Sequence, residues 1–133
     1  MRPIISPRLP SPPEHCEHAW QAGEMLYFSG QLGVGPNEDP NRPIEDQVTK
    51  ALTVLETILG DLGLDRTAIA KITIFLTDPS LWSRLDLSYA KFFGNHKPAR
   101  TVVSCPSLPY GSKIEIDGVA YVSPTTRGSN QSY

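Results

Sequence analysis

The residues best suited to chemistry are Arg100 and Glu115. Arg100 stands where Lys97-Pro98-Ala99 gives way to Thr101, Val102 and Val103, a β-branched run that favours an extended strand. Its guanidinium therefore sits at a strand mouth. Glu115 alternates with Ile114 and Ile116, so it points away from whatever those isoleucines pack against. If the two strands pair, one cation and one carboxylate share a cleft. A planar fork of donors suits a bidentate grip on a carboxylate, and a carboxyl group of suitable pKa can pass protons to and from water. On residue types alone, however, a strand arginine near a strand glutamate is more often a structural ion pair than an active site.

Other constellations are weaker. His15, Cys16 and His18 match no structural zinc spacing and have no evident fourth ligand, so they read as polar residues of an early strand or loop. Cys16 and Cys105 give neither a disulfide framework nor a CxxC pattern, and both read as free thiols. Cys105 shares a strand phase with Thr101 and Val103, where burial would raise its pKa; no Ser/His/Asp or Cys/His set emerges. In Ser29-Gly30-Gln31 the glycine lets the backbone approach another group closely and can leave a neighbouring amide free for an anion or a water. By itself the tripeptide reads as a strand end or bulge.

The chain of 133 residues is long enough to bury a core as one domain without staples. A formal charge of -2 and no Lys/Arg cluster argue against a nucleic-acid groove. No apolar run has the length of a membrane helix, and the proline-rich start lacks the apolar core of a secretory signal, so the expectation is a soluble, cytoplasmic protein.

These side chains need a scaffold, and its elements are legible. Residues 1–14, punctuated by five prolines, read as an extended arm with no chemistry. Gly23-Glu24 can turn a hairpin into the strand Met25 to Phe28, which Ser29-Gly30-Gln31 would end. After a loop over 33–43, Ile44, Val48, Ala51, Leu52, Leu55, Ile58, Leu59 and Leu62 recur at helical spacing. Pro43 suits the first turn, and Gly63 can supply a left-handed cap. Gln47 falls off that stripe, facing solvent or the preceding loop. The run 69–76 is apolar on both phases and reads as a central strand, covered by helices on one face and by something outside this chain on the other. Asp78-Pro79 opens a second helix through Leu81, Trp82, Leu85, Tyr89, Phe92 and Phe93 to Gly94, its aromatics forming a core stripe rather than a ligand box. A proline-rich turn (106–111) joins the strands 101–105 and 113–122 as a long hairpin, and residues 124–133 read as a frayed tail. The result is an α+β fold: two helices on one face of a mixed, mostly antiparallel sheet. Its other face is apolar and naked, which self-association would cover.

Ser29-Gly30-Gln31, Gln47, Tyr89 with Phe92-Phe93, Pro98-Ala99-Arg100-Thr101 and Ile114-Glu115-Ile116, in this order over residues 19–122, resemble the reactive-intermediate deaminase (Rid, YjgF-like) family. No single motif is specific; the ordered combination is. The resemblance implies a chorismate-mutase-like fold and a homotrimer whose sheets form a central barrel, with three clefts between subunits. It implies hydrolysis of reactive enamines and imines such as 2-aminoacrylate to 2-keto acids and ammonia, with no metal or organic cofactor. It assigns the carboxylate anchor to Arg100 and the water-positioning carboxylate to Glu115, with Ser29, Gly30, Asp86, Tyr89 and Val102 lining the substrate. The chain departs from the best-known branch at the rim. Cys16 stands for an early tyrosine, Asp86 for an asparagine in the second helix and Val102 for a cysteine. Acidic Asp86 would disfavour a second carboxylate, or offer a hydrogen bond to an amino or imino group. Because imines hydrolyse readily in water, orientation and one acid/base group would suffice. Two alternatives share the same clefts: a non-catalytic binder of small carboxylates, and a pathway-specific deaminase of aminomuconate type. A third class, ribonuclease, is disfavoured by the lack of a basic groove and of a histidine pair.

Overall fold

The computed structural model describes residues 1–122; the expected tail at 124–133 lies outside them. Eight elements follow in chain order: β1 (Arg2–Ile4), β2 (Ala19–Ala22), β3 (Met25–Leu32), α1 (Ile44–Asp61), β4 (Ile69–Leu76), α2 (Trp82–Phe93), β5 (Ala99–Ser104) and β6 (Ile114–Tyr121). The six strands form one sheet in the order β1-β2-β3-β6-β4-β5. All pairings are antiparallel except β4 with β5, which α2 connects as a parallel crossover. This is the expected mixed sheet, with both helices on one face.

Apolar periodicity decides which face that is. Ile44, Val48, Ala51, Leu52, Leu55, Ile58 and Leu59 of α1 and Leu85, Tyr89 and Phe93 of α2 are buried with Leu26, Phe28, Ile72, Ile74, Ile114 and Ile116 of the sheet. Helix α1 ends as expected: Gly63 has φ +74°, and the N–H groups of Leu64 and Gly63 donate to the carbonyls of Leu59 and Gly60. Asp78 accepts from the Ser80 N–H, but a short 3-10 turn (Pro79–Leu81) intervenes before α2 begins at Trp82.

Several expectations need correction. The turn 106–111 does not join a hairpin: β4 lies between β5 and β6 and takes ladder partners on both sides. A run as apolar as β4 belongs at the sheet's interior, whereas short, half-exposed β5 takes the edge. Strand β3 does not stop at Ser29 but runs through a bulge, its register with β6 shifting between Phe28 and Gln31. The N-terminal arm is a structural element. Arg2–Ile4 pairs with β2 at the sheet's other edge, where a proline is tolerated. Farther along the arm, Arg8 binds Asp61 and the Thr57 carbonyl on α1. Buried His18 clamps the arm, its Nδ1 accepting from the Ser6 N–H and its Nε2 donating to the Pro10 carbonyl.

The uncovered sheet face is not simply apolar. Half-exposed Trp20, Tyr27, Val103 and Tyr121 frame a polar centre of Lys71, Thr73, Thr101, Glu115 and Asp117, in which the Lys71 ammonium donates to Thr101 Oγ1. Gln47 does not face solvent. It is fully buried, with Nε2 donating to the Arg42 carbonyl at 2.9 Å and Oε1 accepting from the Lys113 N–H at 3.0 Å. The loop contact was anticipated; the tie to the start of β6 was not.

Candidate functional site

The expected site residues fall into two groups, on opposite faces of the sheet. Arg100 pairs in register with Ile72, so it shares the helix-covered face. Helix α2 passes above it and presents Trp82, Asp86 and Tyr89 at spacings of four and three residues, one helical stripe. The guanidinium carbon lies 5.1 Å from the Trp82 ring centroid and 4.7 Å from that of Tyr89. One Nη1–H donates to Asp86 Oδ1 at 2.7 Å. Among the described residues, its other N–H groups meet no acceptor.

Two hollows lie along this stripe, and Arg100 lines one of them. One, of about 360 Å³, is walled by Asp86, Tyr89, Phe93, Lys97 and Arg100. The other, of about 510 Å³, lies between Trp82, Pro79, Leu76, Val102 and Ser104. Val102 pairs with Ile74 and so follows Arg100 on the same face. Among the described residues the buried Tyr89 hydroxyl has no hydrogen-bond partner, and burial pushes its pKa up to about 12. Tyr89 is thus a core ring that also floors the arginine, whereas Trp82 leaves the expected core stripe for the rim, 39 % exposed.

Ser29, Gly30 and Glu115 form the second group, on the uncovered face. Ser29 Oγ donates to the Glu17 carbonyl, and the bulge brings Gly30 against Glu115: a Cβ at Gly30 would lie 2.5 Å from Glu115 Oε2. The close approach is why a glycine stands here. Burial raises the Glu115 pKa above its ordinary value, and the nearby negative charges of Asp117 and Glu14 raise it further. Among the described residues no donor reaches its carboxylate. Its carboxyl group stands on the uncovered face of the sheet.

Arg100 and Glu115 are therefore not neighbours within one chain, contrary to the expectation from pairing of their strands. Strand β4 separates them, and the alternation of side chains sends them to opposite sides. Two contributors escaped the sequence reading. Glu14, at the end of the arm, accepts from the Tyr110 hydroxyl and adds its charge to the surroundings of Glu115. Trp82 stacks on Arg100, and its helical spacing from Asp86 was the available signal. Cys16 is exposed. Among the described residues no group of three His, Cys, Asp or Glu is placed to hold a metal ion, and no helix is long and apolar enough to cross a membrane.

A mixed six-stranded sheet with two helices on one face defines an α+β class of small proteins with recognisable relatives. The sequence profile described as Endoribonuclease L-PSP matches residues 8–122, and the chain belongs to this family, the Rid (YjgF/RutC) family. A RutC family protein of Pyrococcus horikoshii is 32 % identical over 120 residues, covering 89 % of this chain and 95 % of the relative. The human 2-iminobutanoate/2-iminopropanoate deaminase is 32 % identical over 106 residues, 78 % of this chain and 77 % of the human protein. Among solved structures, Escherichia coli TdcF with bound serine superposes with a TM-score of 0.83 at 28 % identity, covering 92 % of this chain and all of TdcF. Family membership supports imine-deaminase activity at a general level.

Proposed function

We propose that this protein hydrolyses reactive enamines and imines of the 2-aminoacrylate type to 2-keto acids and ammonia. Arg100 grips the substrate carboxylate, and Glu115 of a neighbouring copy manages water and proton. The observation that carries this reading is the separation itself. Each face holds half of a site: a preorganised fork with open donors on one, an unpartnered acid of raised pKa on the other. Only a junction between copies of the chain can bring such halves together. Edge strand β5 and the aromatic-framed open face supply surfaces for that junction, and a homotrimer with a barrel of sheets and three clefts is the arrangement proposed.

The chemistry asks little of the protein. Protonation at carbon, with loss of one N–H proton to water, converts the enamine to its imine tautomer. Water then attacks the imine carbon, forming a C–O bond while the C–N π pair moves to nitrogen and takes a proton. Collapse of the carbinolamine breaks the C–N bond, releases ammonia and leaves the carbonyl. Neutral Glu115 can donate the proton to nitrogen, and its carboxylate can accept one from the attacking water. Arg100, held against two rings of α2, fixes the carboxylate so that the carbon meets that water. Ribonuclease chemistry finds less support, because His18 has both ring nitrogens engaged by backbone and His96 Nε2 donates to the Ile69 carbonyl.

The test is to generate 2-aminoacrylate with a dehydratase and follow keto-acid release by wild type, Arg100→Ala, Glu115→Gln and co-expressed mixtures of the two variants. Each variant alone should be inactive. The mixture should recover about a quarter of wild-type activity, the statistical share of junctions that pair two intact halves. Wild-type activity no greater than that of Arg100→Ala ends the deaminase reading. Binding of 2-ketobutyrate by calorimetry without turnover would establish the carboxylate-binding alternative instead. A mixture as inactive as its parents would refute the site shared between copies of the chain.

A further inference from the structure

Resting on the reading of Arg100 as the carboxylate anchor, we infer that Asp86 makes that anchor dipolar. The site selects ligands carrying an N–H donor, ammonium or iminium, on the carbon next to their carboxylate, over keto acids that carry none. Asp86 Oδ1 already occupies one Nη1–H of Arg100 at 2.7 Å. Its other oxygen accepts no hydrogen bond among the described residues, and its side chain is 48 % exposed at the hollow's mouth. The guanidinium's remaining donors and this free oxygen thus lie side by side. An α-carboxylate on the fork sets the substituent of the adjacent carbon beside Asp86.

The identity of that substituent then decides affinity. A nitrogen bearing hydrogen gives Asp86 a charge-assisted bond and offsets the repulsion between the two carboxylates. A keto oxygen gives neither: it leaves two anions and a carbonyl lone pair facing one another with a single guanidinium between them. Sites built to bond a donor reject the analogue that lacks it for this reason. Lys97, on the same wall, adds positive charge to the hollow but supplies no acceptor, so it does not substitute for Asp86. The catalytic consequence is directional. The protonated imine is held by both groups, and the keto product, having lost its nitrogen, is expelled by the residue that recognised it.

The probes are L-alanine and pyruvate, saturated and keto relatives of the substrate and product, titrated calorimetrically and as inhibitors of turnover. Wild type should bind L-alanine at least tenfold more tightly than pyruvate. Asp86→Asn, isosteric and uncharged, should tighten pyruvate by roughly tenfold, an exposed pair tempering the effect, and should abolish the preference. Equal wild-type affinities for the two probes would overturn the inference even if the variant failed to fold. So would a pyruvate affinity unmoved in folded Asp86→Asn. Arg100→Ala separates this from failure of the anchor: if it binds both probes as wild type does, the carboxylate anchor itself is misassigned. If it binds neither while Asp86→Asn behaves as wild type, the dipolar anchor alone is refuted.

Discussion

Replacing Gly30 by alanine perturbs the acid without touching it. The glycine is not in the left-handed region, so the backbone accepts a side chain, but the new Cβ would stand 2.5 Å from Glu115 Oε2 and 3.0 Å from its carboxyl carbon. Ordinary van der Waals separation requires the carboxylate to retreat by about 1 Å. Because the obstacle is the end of a flexible side chain, the fold should tolerate the change within about 1 kcal/mol; the smaller entropy of the unfolded alanine chain partly compensates. Catalysis should not tolerate it. A reacting group displaced by about 1 Å costs on the order of a hundredfold in rate, approaching the loss for Glu115→Gln, where roughly 10²- to 10⁴-fold is typical of a missing acid/base group. The assay is kcat/KM on dehydratase-generated 2-aminoacrylate, with a thermal melt of the same preparation. Wild-type kcat/KM at an unchanged melting temperature would refute the placement of Glu115 at the chemistry. A collapse of the melting temperature would refute the local nature of the contact.

Two further outcomes are expected. Gln47→Ala should destabilise the protein by about 1–3 kcal/mol in urea titrations at fixed protein concentration, since it empties a buried side-chain site and leaves the Lys113 N–H and the Arg42 carbonyl without this partner in a half-buried setting; a loss under about 0.5 kcal/mol would deny Gln47 its tie between loop and β6. Because the folded Glu115 pKa is raised, burial costs stability once the group ionises, a cost absent at low pH and growing as pH rises through its folded titration. Glu115→Gln should therefore be more stable than wild type near pH 7, with the gap closing toward about pH 4 and below. A gap independent of pH would show that the carboxyl group titrates as in the unfolded chain.

Local patterns determined much of this protein by themselves. The α1 stripe with its Gly63 cap, the Asp78 turn before α2, the Gly23 hairpin and the β-branched runs are all short-range, set by side-chain period and backbone preference. The strand phases of the candidate site residues were equally legible, since an arginine at a strand start and a glutamate between isoleucines advertise them. Which strand lies beside which was not legible, because strand order is a contest for ladder partners across the whole sheet. The apolar run 69–76 took the place between β5 and β6, sending Arg100 beneath α2 and Glu115 to the opposite face. Tertiary structure alone also decided that Asp86 meets Arg100, that the arm is clamped by His18, and that Gln47 is buried: each joins segments remote in sequence, and only packing brings their donors and acceptors within reach.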